Sequence, residues 1–328
     1  MARVFSGIQP TGDLHLGNYL GAVRQWVVDQ DSHEALYCVV DLHAMTASYE
    51  PKELTTRTQT TATLLLASGL DPARCTLFVQ SQVPAHTELA WILNCTATFG
   101  ELNRMTQFKD KGQSGSSVTV GLFAYPVLMA ADILAYDTDQ VPVGDDQRQH
   151  LELARDIALR FNNRFGETFT VPKATVPPLG ARVMDLQDPT IKMSKSNSSP
   201  QGIIGLLDSP ETIRKRIRSA VTDSDNHIEF NPDTKPGLAN LLTLLAVTTE
   251  QSIEAVVSEY ESSGYGSLKD ATADAIIACL SPIQERYADL SSDLKYVSGQ
   301  LNQGAERARS LSSPVIERVR ERAGLLAP

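Results

Sequence analysis

Residues 7–18 read Gly7-Ile8-Gln9-Pro10-Thr11-Gly12-Asp13-Leu14-His15-Leu16-Gly17-Asn18, a glycine-rich turn between two regular patterns. A short β-favouring run at 3–6 precedes the turn, and apolar residues at helical spacing follow it at 18–28. Such a junction can hold nucleotide phosphates, because glycine leaves room for them and a helix N-terminus presents free N–H groups. An ordinary strand-to-helix turn is the alternative, since glycine-rich turns alone have low specificity.

Similar β-favouring runs recur at 36–40, 76–79 and 140–143, and helix-like patterns follow at 51–68 and 146–160. This alternation predicts an α/β fold with a Rossmann-like parallel sheet and crossover helices. Ligands of such sheets bind beyond the carboxyl ends of the strands. We therefore expect the functional residues at 7–18, 41–46, 80–88 and 144–147.

Strand signals fade after about residue 200, where helix openings follow at Ser209-Pro210, Lys235-Pro236 and near Thr249. A second, all-helical domain is the simplest interpretation. We expect a nucleotide-binding catalytic domain over 1–186 and a helical domain over 187–294. The segment 295–328 is expected to rejoin the first domain through two closing helices, at 307–311 and 314–323.

The composition excludes several classes of protein. Of 328 residues, 42% are hydrophobic and 21% charged, as in ordinary globular proteins, and the net charge of −10 argues against a generic nucleic-acid-coating or DNA-binding protein. Four distant cysteines without metal-ligand spacing favour a reducing, cytoplasmic location, and no metal site is expected. The polar N-terminus predicts no signal peptide. The longest apolar run, 118–131, is shorter than the ~20 residues of a membrane-spanning helix, so we expect no membrane.

A second motif, Lys192-Met193-Ser194-Lys195-Ser196, follows the apolar stretch 181–186 and a loop containing Asp188-Pro189. Two lysines and two hydroxyls on one loop suit a triphosphate whose outer phosphates must be held as they leave. A solvated basic loop is the alternative for the motif alone.

With both motifs on one chain, the sequence resembles the class I aminoacyl-tRNA synthetases, whose signatures read HIGH and KMSKS. His15-Leu16-Gly17-Asn18 matches the first with Asn18 in place of the final histidine, and 192–196 matches the second throughout. The resemblance narrows to the bacterial-type tryptophanyl-tRNA synthetases and covers essentially the whole chain. The further matching runs are 5–12, 80–86, 100–109, 130–134, 141–147 and 219–224.

The resemblance implies that tryptophan and ATP form tryptophanyl-adenylate and pyrophosphate, and that tryptophan then passes to the 3′ end of tRNA(Trp). Positioning and charge neutralisation then carry catalysis, without a side-chain nucleophile. Mg²⁺ is expected to bind mainly through the phosphates of ATP. By analogy the catalytic residues are His15, Asn18, Lys192 and Lys195. The implied ATP-binding residues are Gln9, Pro10, Thr11, Gly17, Asn18, Lys111, Gly144, Asp145, Asp146, Val183, Lys192, Met193, Ser194, Lys195 and Ser196.

For tryptophan the implied contacts are Phe5, Gly7, His43, Tyr125, Met129, Asp132, Val143 and Gln147. Asp132 can also be argued physically, because its neighbours on one helical face are largely apolar and a buried carboxylate needs a hydrogen-bond donor. The indole N–H would supply one. A capping or salt-bridged aspartate on a surface helix is the alternative. For His43, an ordinary buried core histidine is as good an interpretation as a pocket residue.

The tRNA contacts are expected at the basic run Arg214, Lys215, Arg216 and Arg218, for which a solvated helix face is the alternative. The family resemblance further implies a homodimer. A tyrosyl-tRNA synthetase is the nearest alternative function. A small-molecule adenylyltransferase and a catalytically silent tRNA-binding paralogue are the others.

Overall fold

The computed structural model describes residues 1–106, 108, 118–144, 147–175, 182–194 and 199–326. Its centre is a parallel sheet with strand order β3-β2-β1-β4-β5. The strands are β1 Arg3–Ile8, β2 Glu34–Val39, β3 Thr76–Val79, β4 Gln140–Pro142 and β5 Lys173–Thr175. The predicted α/β fold with a parallel sheet is confirmed.

This strand order fixes where a ligand can bind. The chain runs outward from β1 to β2 and β3, and then returns to place β4 on the other side of β1. The connections therefore diverge between β1 and β4, and open α/β sheets bind ligands in the crevice beyond the strands at such a switch point. The turn after β1 and the described residues that follow β4, Val143, Gly144 and Gln147, lie at this crevice.

The helices of the sheet region alternate with the strands, as the sequence pattern predicts. They are α1 Leu16–Asn18, a π-helical turn Tyr19–Val23, α2 Arg24–Asp29, α3 Asp41–Ala44, α4 Pro51–Ala67, a 3₁₀ turn Gln80–Gln82, α5 Ala85–Asn94, α6 Phe99–Asn103, α7 Val120–Leu134 and α8 Arg148–Phe165. The helix predicted over 18–28 is thus interrupted by a π turn. The helix predicted over 146–160 begins at Arg148 and continues to Phe165.

Helices account for the regular structure after residue 200. They are α9 Pro210–Arg218, α10 Pro236–Thr249, α11 Ile253–Tyr260, α12 Tyr265–Ser292 and α13 Leu294–Ala323. By length and composition no single described helix could cross a membrane, although the bent pair α10 and α11 passes that test together.

The prediction of two closing helices is wrong, because α13 runs unbroken through Pro314. A proline inside a helix removes one backbone hydrogen bond, because it has no N–H. Here buried residues on both sides of Pro314 hold the helix in place, with Ala305 and Ala308 before the proline and Val315 after it. Gly304 brings this helix against the sheet, since a Cβ there would overlap the carbonyl oxygen of Leu77 in β3.

Two apolar clusters form the core. One joins the first turn and one face of the sheet to the helices after residue 200, and it includes Leu16, Tyr37 and Leu242. The other packs α7, α8 and α13 against the opposite face, with Phe78 and Phe161 at its centre. Because the first cluster is continuous from α1 to α10, the helical region supports the turn after β1 directly.

Candidate active site

The turn after β1 is clamped at its far end by the chain near residue 205. The backbone N–H of Leu16 donates to Ile204 O at 2.8 Å, and that of Leu206 donates to Leu14 O at 2.9 Å. His15 lies between these bonds as the N-cap of α1, and it is buried. The Asn18 side-chain oxygen accepts from the His15 N–H at 3.1 Å. Asn18 therefore positions the backbone of His15 as well as carrying an amide at the helix start.

Gly17 brings the two signature motifs together. A Cβ at this position would lie 3.1 Å from the His15 ring and 3.5 Å from the Met193 Cβ. A Cβ would crowd the His15 ring, whereas its distance to Met193 is an ordinary contact, so Met193 lies directly against the backbone at Gly17. The described part of the second motif thus packs on the turn after β1, although the two are far apart in sequence.

The second motif is held by backbone pairing with the segment that precedes it. The Met193 N–H donates to Val183 O at 3.0 Å, and the Asp185 N–H donates to Ile191 O at 3.0 Å. Val183 and Met193 are buried, whereas Lys192 is exposed. This pairing leaves the Lys192 ammonium in solvent, where it can meet a phosphate.

Asn240 in α10 fixes this hairpin-like segment from the helical side, and the sequence analysis did not identify it. Its side-chain oxygen accepts from the Met184 N–H at 3.0 Å, and its amide donates to Met184 O at 3.0 Å. The sequence does show one amide residue within the apolar helix pattern at 238–246. Because buried amides are almost always hydrogen-bonded, this pattern indicates that Asn240 has a bonding partner.

The remaining predicted ATP contacts divide into two groups. Gln9, Thr11 and Gly144 are exposed at the carboxyl edge of the sheet, and Pro10 is buried beneath them. Lys111, Asp145, Asp146, Lys195 and Ser196 lie outside the described residues. Gln147 caps the start of α8, with its N–H donating to Gly144 O at 3.0 Å. The first group and Gln147 therefore directly follow β1 and β4, the two strands between which the connections diverge.

Asp132 is buried and accepts three hydrogen bonds from the protein. Its Oδ1 accepts from Gln80 Nε2 at 2.7 Å and from His86 Nδ1 at 2.6 Å, and its Oδ2 accepts from His43 Nε2 at 2.7 Å. The alternative of a surface aspartate is therefore wrong. The carboxylate does not depend on the indole N–H for a donor, because elements after β2 and β3 already supply three. His43 is buried and its ring contacts Asp132, which fits the core interpretation, and its place in a tryptophan pocket stays a prediction.

These contacts keep Asp132 ionised. Burial by itself raises the pKa of the Asp132 carboxyl, but the adjacent His43 and the hydrogen bonds from His43 and His86 outweigh burial and lower it. The site therefore presents a fixed negative charge within an apolar cluster.

Aromatic and apolar side chains surround this carboxylate. Phe5 stacks on Tyr136 with ring centroids 5.8 Å apart, and the Tyr136 hydroxyl lies 2.8 Å from His86 Nε2. Tyr125 meets the His43 ring edge-on and its hydroxyl lies 2.6 Å from His150 Nε2. Burial raises the pKa of Tyr125 to about 12, so its hydroxyl stays protonated.

Three further predicted tryptophan contacts lie in the same region. Val143 is buried with Phe5 in the second core cluster, and Met129 packs against that cluster half-buried. Gly7 is at the end of β1, where a Cβ would come within 2.9 Å of a Val40 methyl group. Flat apolar walls beside one carboxylate can recognise an aromatic group with a polar N–H.

The basic run at 214–218 is largely neutralised in the structure. Arg214 pairs with Asp274 at 2.5 Å, Arg218 pairs with Asp270 at 3.0 Å, and Arg216 pairs with Asp208. Acidic residues from neighbouring elements thus face the three arginines, and the expected tRNA contact at this run stays a prediction. An open depression of about 580 Å³ is lined by Arg214, Lys215 and Arg218.

The described residues contain no group of three histidine, cysteine or acidic side chains placed to hold a metal ion.

The family model for class I tRNA synthetases of the W and Y group matches residues 1–281. The tryptophan–tRNA ligase of Mycobacterium leprae is 53% identical over 332 residues, covering 99% of this chain and 97% of that protein. Among solved structures, a tryptophanyl-tRNA synthetase from Mycoplasma pneumoniae superposes with a TM-score of 0.92 at 35% identity, covering 99% of this chain and 98% of that one. A tryptophanyl-tRNA synthetase from Campylobacter jejuni, complexed with ADP and tryptophan, gives 0.84 at 36% identity, covering 98% and 100%.

Proposed function

This chain belongs to the class I tRNA synthetases of the W and Y group, and from that premise we propose that it is a tryptophan–tRNA ligase. It activates L-tryptophan with ATP to tryptophanyl-adenylate and pyrophosphate, and then esterifies the 3′ end of tRNA(Trp). Relatives that share about half of its residues are named for tryptophan, which speaks against the tyrosyl alternative.

The close approach of Met193 to Gly17 is the observation that carries this proposal. It brings the described part of the second motif against the first, which follows β1, and this supports a triphosphate that contacts both motifs beyond the carboxyl end of β1. A fold that only binds a dinucleotide does not require a lysine-bearing segment next to Gly17, whereas an enzyme that cleaves a triphosphate does.

In the activation step a tryptophan carboxylate oxygen forms a bond to the α-phosphorus while the bond to pyrophosphate breaks. Negative charge moves to the departing pyrophosphate, so stabilisation comes from groups aimed at its oxygens. We assign that role to Lys192 and Lys195, with His15 and the Asn18 amide facing the triphosphate and Lys111 assisting. Mg²⁺, bound by the phosphates, would neutralise further charge there.

We assign the indole ring to the cluster of Phe5, Met129 and Val143, with its N–H donating to Asp132. Supporting this, the carboxylate is ionised, buried and fixed by three donors, so it can only accept. Gln147 and Tyr125 face the polar end of the amino acid in this assignment, and Asp146 the ribose of ATP.

We propose that two copies of the chain form the functional unit. Trp91 is 72% exposed, Phe99 is 73% exposed and Val120 is 81% exposed, on α5, α6 and α7. Phe99 also stacks near Phe123, which follows Val120 by one helical turn. Large exposed apolar patches usually mark interfaces, and Trp91→Glu should convert a dimer to a monomer in light scattering.

Contact with tRNA(Trp) is assigned to the helical region, through Lys215 and the depression beside α9. Since its arginines are paired with carboxylates, the contact must come from Lys215 or from exchange of those pairs on binding. We place the enzyme in the cytoplasm, where tRNA charging occurs.

Tryptophan-dependent exchange of pyrophosphate into ATP, followed by charging of tRNA, tests the function. We expect exchange with tryptophan to exceed that with tyrosine and phenylalanine by orders of magnitude, and charging only of tRNA(Trp). Equal exchange with tyrosine would favour the tyrosyl alternative. Exchange without any charging would favour an adenylyltransferase, and no exchange at all a silent paralogue.

A further inference from the structure

Behind Asp132 lies a second layer of hydrogen bonds that no substrate can reach. His86 Nδ1 lies 2.6 Å from Asp132 Oδ1, and His86 Nε2 lies 2.8 Å from the Tyr136 hydroxyl. Both His86 and Tyr136 are fully buried. The line Tyr136, His86, Asp132 therefore runs from the core to the carboxylate.

The direction of the hydrogen bonds along this line is fixed. The ionised Asp132 carboxylate can only accept, so His86 Nδ1 must donate to it; burial raises the pKa of Tyr136 well above its usual value, so its hydroxyl keeps the proton that it can donate to His86 Nε2. A neutral imidazole that accepts at Nε2 must carry its proton on Nδ1. His86 then donates to Asp132, whereas the other tautomer would turn a lone pair toward the carboxylate.

The two carboxylate oxygens of Asp132 accept different numbers of hydrogen bonds. Each can accept two hydrogen bonds, and among the described residues Oδ1 accepts two while Oδ2 accepts one, from His43. An incoming N–H is therefore directed to Oδ2. A loosened contact at Oδ1 would let the carboxylate rotate away from that geometry.

We infer that His86 and Tyr136 are positioning residues for tryptophan selectivity, with the Tyr136 hydroxyl locking the tautomer of His86 that aims Asp132 at the indole N–H. This rests on the proposed function, because it deepens the assignment of Asp132 as the indole acceptor. A purely structural role for the hydroxyl would instead affect every ligand alike.

Tyr136→Phe tests this inference with two ligands, tryptophan and its analogue in which sulfur replaces the indole N–H. Equilibrium binding of each is measured, together with KM and kcat in pyrophosphate exchange. Tryptophan should bind about 5- to 30-fold more weakly, the loss from one unsatisfied buried hydrogen bond. The sulfur analogue should bind as it does to the wild type, because it makes no hydrogen bond with Asp132.

Tyr37→Phe is the matched control. Tyr37 is also fully buried and its hydroxyl donates to Trp26 O at 3.0 Å, in the other core cluster. This variant should bind both ligands normally. Equal weakening of tryptophan and analogue by Tyr136→Phe, or no weakening of tryptophan, would overturn the inference.

A second variant separates the tautomer from the fold. In His86→Asn the side-chain amide stands where Nδ1 stood and donates regardless of any tautomer. Tyr136→Phe should therefore cost no further discrimination in the His86→Asn background, and a further loss would refute the lock. Wild-type protein that activates tryptophan but does not prefer it to the sulfur analogue would overturn this inference alone. Failure to activate tryptophan would sink the proposed function as well.

Discussion

Replacing Asn240 with alanine removes the link between the helical region and the segment that carries the second signature motif. Two hydrogen bonds of 3.0 Å to the backbone of Met184 are lost, and Asn240 is only 4% exposed, so water cannot replace them freely. Leaving a buried polar group unsatisfied costs about 1–3 kcal/mol. With two backbone groups affected, we expect a loss of about 2–4 kcal/mol in the free energy that holds residues 183–193 in place.

This loss should appear in the chemistry before it appears in substrate binding. Displacement of the segment moves Lys192 and its neighbours away from the leaving pyrophosphate, whereas the tryptophan cluster around Asp132 lies on other elements. Rapid-quench measurement of adenylate formation at saturating ATP and tryptophan should show a rate at least ~10-fold lower, because each 1.4 kcal/mol is a factor of ten. Tryptophan affinity should change by less than about 3-fold.

Thr243→Ala is the control on the same helix, since the Thr243 hydroxyl donates to Ala239 O within α10 at 2.8 Å and, among the described residues, makes no hydrogen bond with the segment. Urea unfolding of both variants separates global from local effects. If Asn240→Ala loses stability but forms adenylate at the wild-type rate, the amide serves the core alone and our reasoning about the segment is refuted.

Three further outcomes follow from the contacts described above. Asp132→Ala should narrow the preference for tryptophan over phenylalanine in pyrophosphate exchange about 10- to 100-fold, without a comparable change in KM for ATP. The hydrogen bond from Arg160 lowers the pKa of Glu101 to about 2. The contribution of this pair to the free energy of unfolding is therefore complete above pH ~4.3 and is lost as pH falls toward 2. Glu101→Gln should therefore destabilise by about 1 kcal/mol at pH 7 in urea unfolding, and the difference from wild type should vanish near pH 2. Lys215→Glu should raise the KM for tRNA and reduce its salt dependence by roughly one unit of log–log slope, while Arg216→Glu should lower stability instead.

The sequence predicted the parts of the fold that depend on local pattern. The cores of β1 to β4 and the start of α4 at Pro51 follow from apolar runs and a proline at the first helical position. β5 was missed because Lys173–Thr175 is short and mostly exposed, so it lacks the apolar signal of a buried strand. The continuity of α13 through Pro314 could not be predicted, because it depends on packing against β3.

In the candidate site, too, features set by local sequence pattern were predictable and contacts between distant residues were not. Burial of Asp132 was predictable from its apolar neighbours on one helical face, a local property. Its partners were not, since Gln80, His43 and His86 stand 52, 89 and 46 residues from it and meet it only through the strand order. Asn240 was missed for the same reason, as its bonds reach back 56 residues to Met184.

The three donors around Asp132 also affect how much of the selectivity for tryptophan can come from this carboxylate and how much must come from the shape of the pocket. A carboxylate with no partner in the empty pocket would penalise phenylalanine strongly, because that ligand would leave a buried charge unsatisfied. Here the protein stabilises the charge before any substrate arrives, and in the proposed assignment the indole N–H would add one hydrogen bond to a carboxylate that is already paired. One such bond is worth about 1.5–3 kcal/mol when it involves a charged group, or roughly 10- to 100-fold. The shape of the apolar walls at Phe5, Met129 and Val143 must therefore supply the rest of the discrimination against phenylalanine and tyrosine.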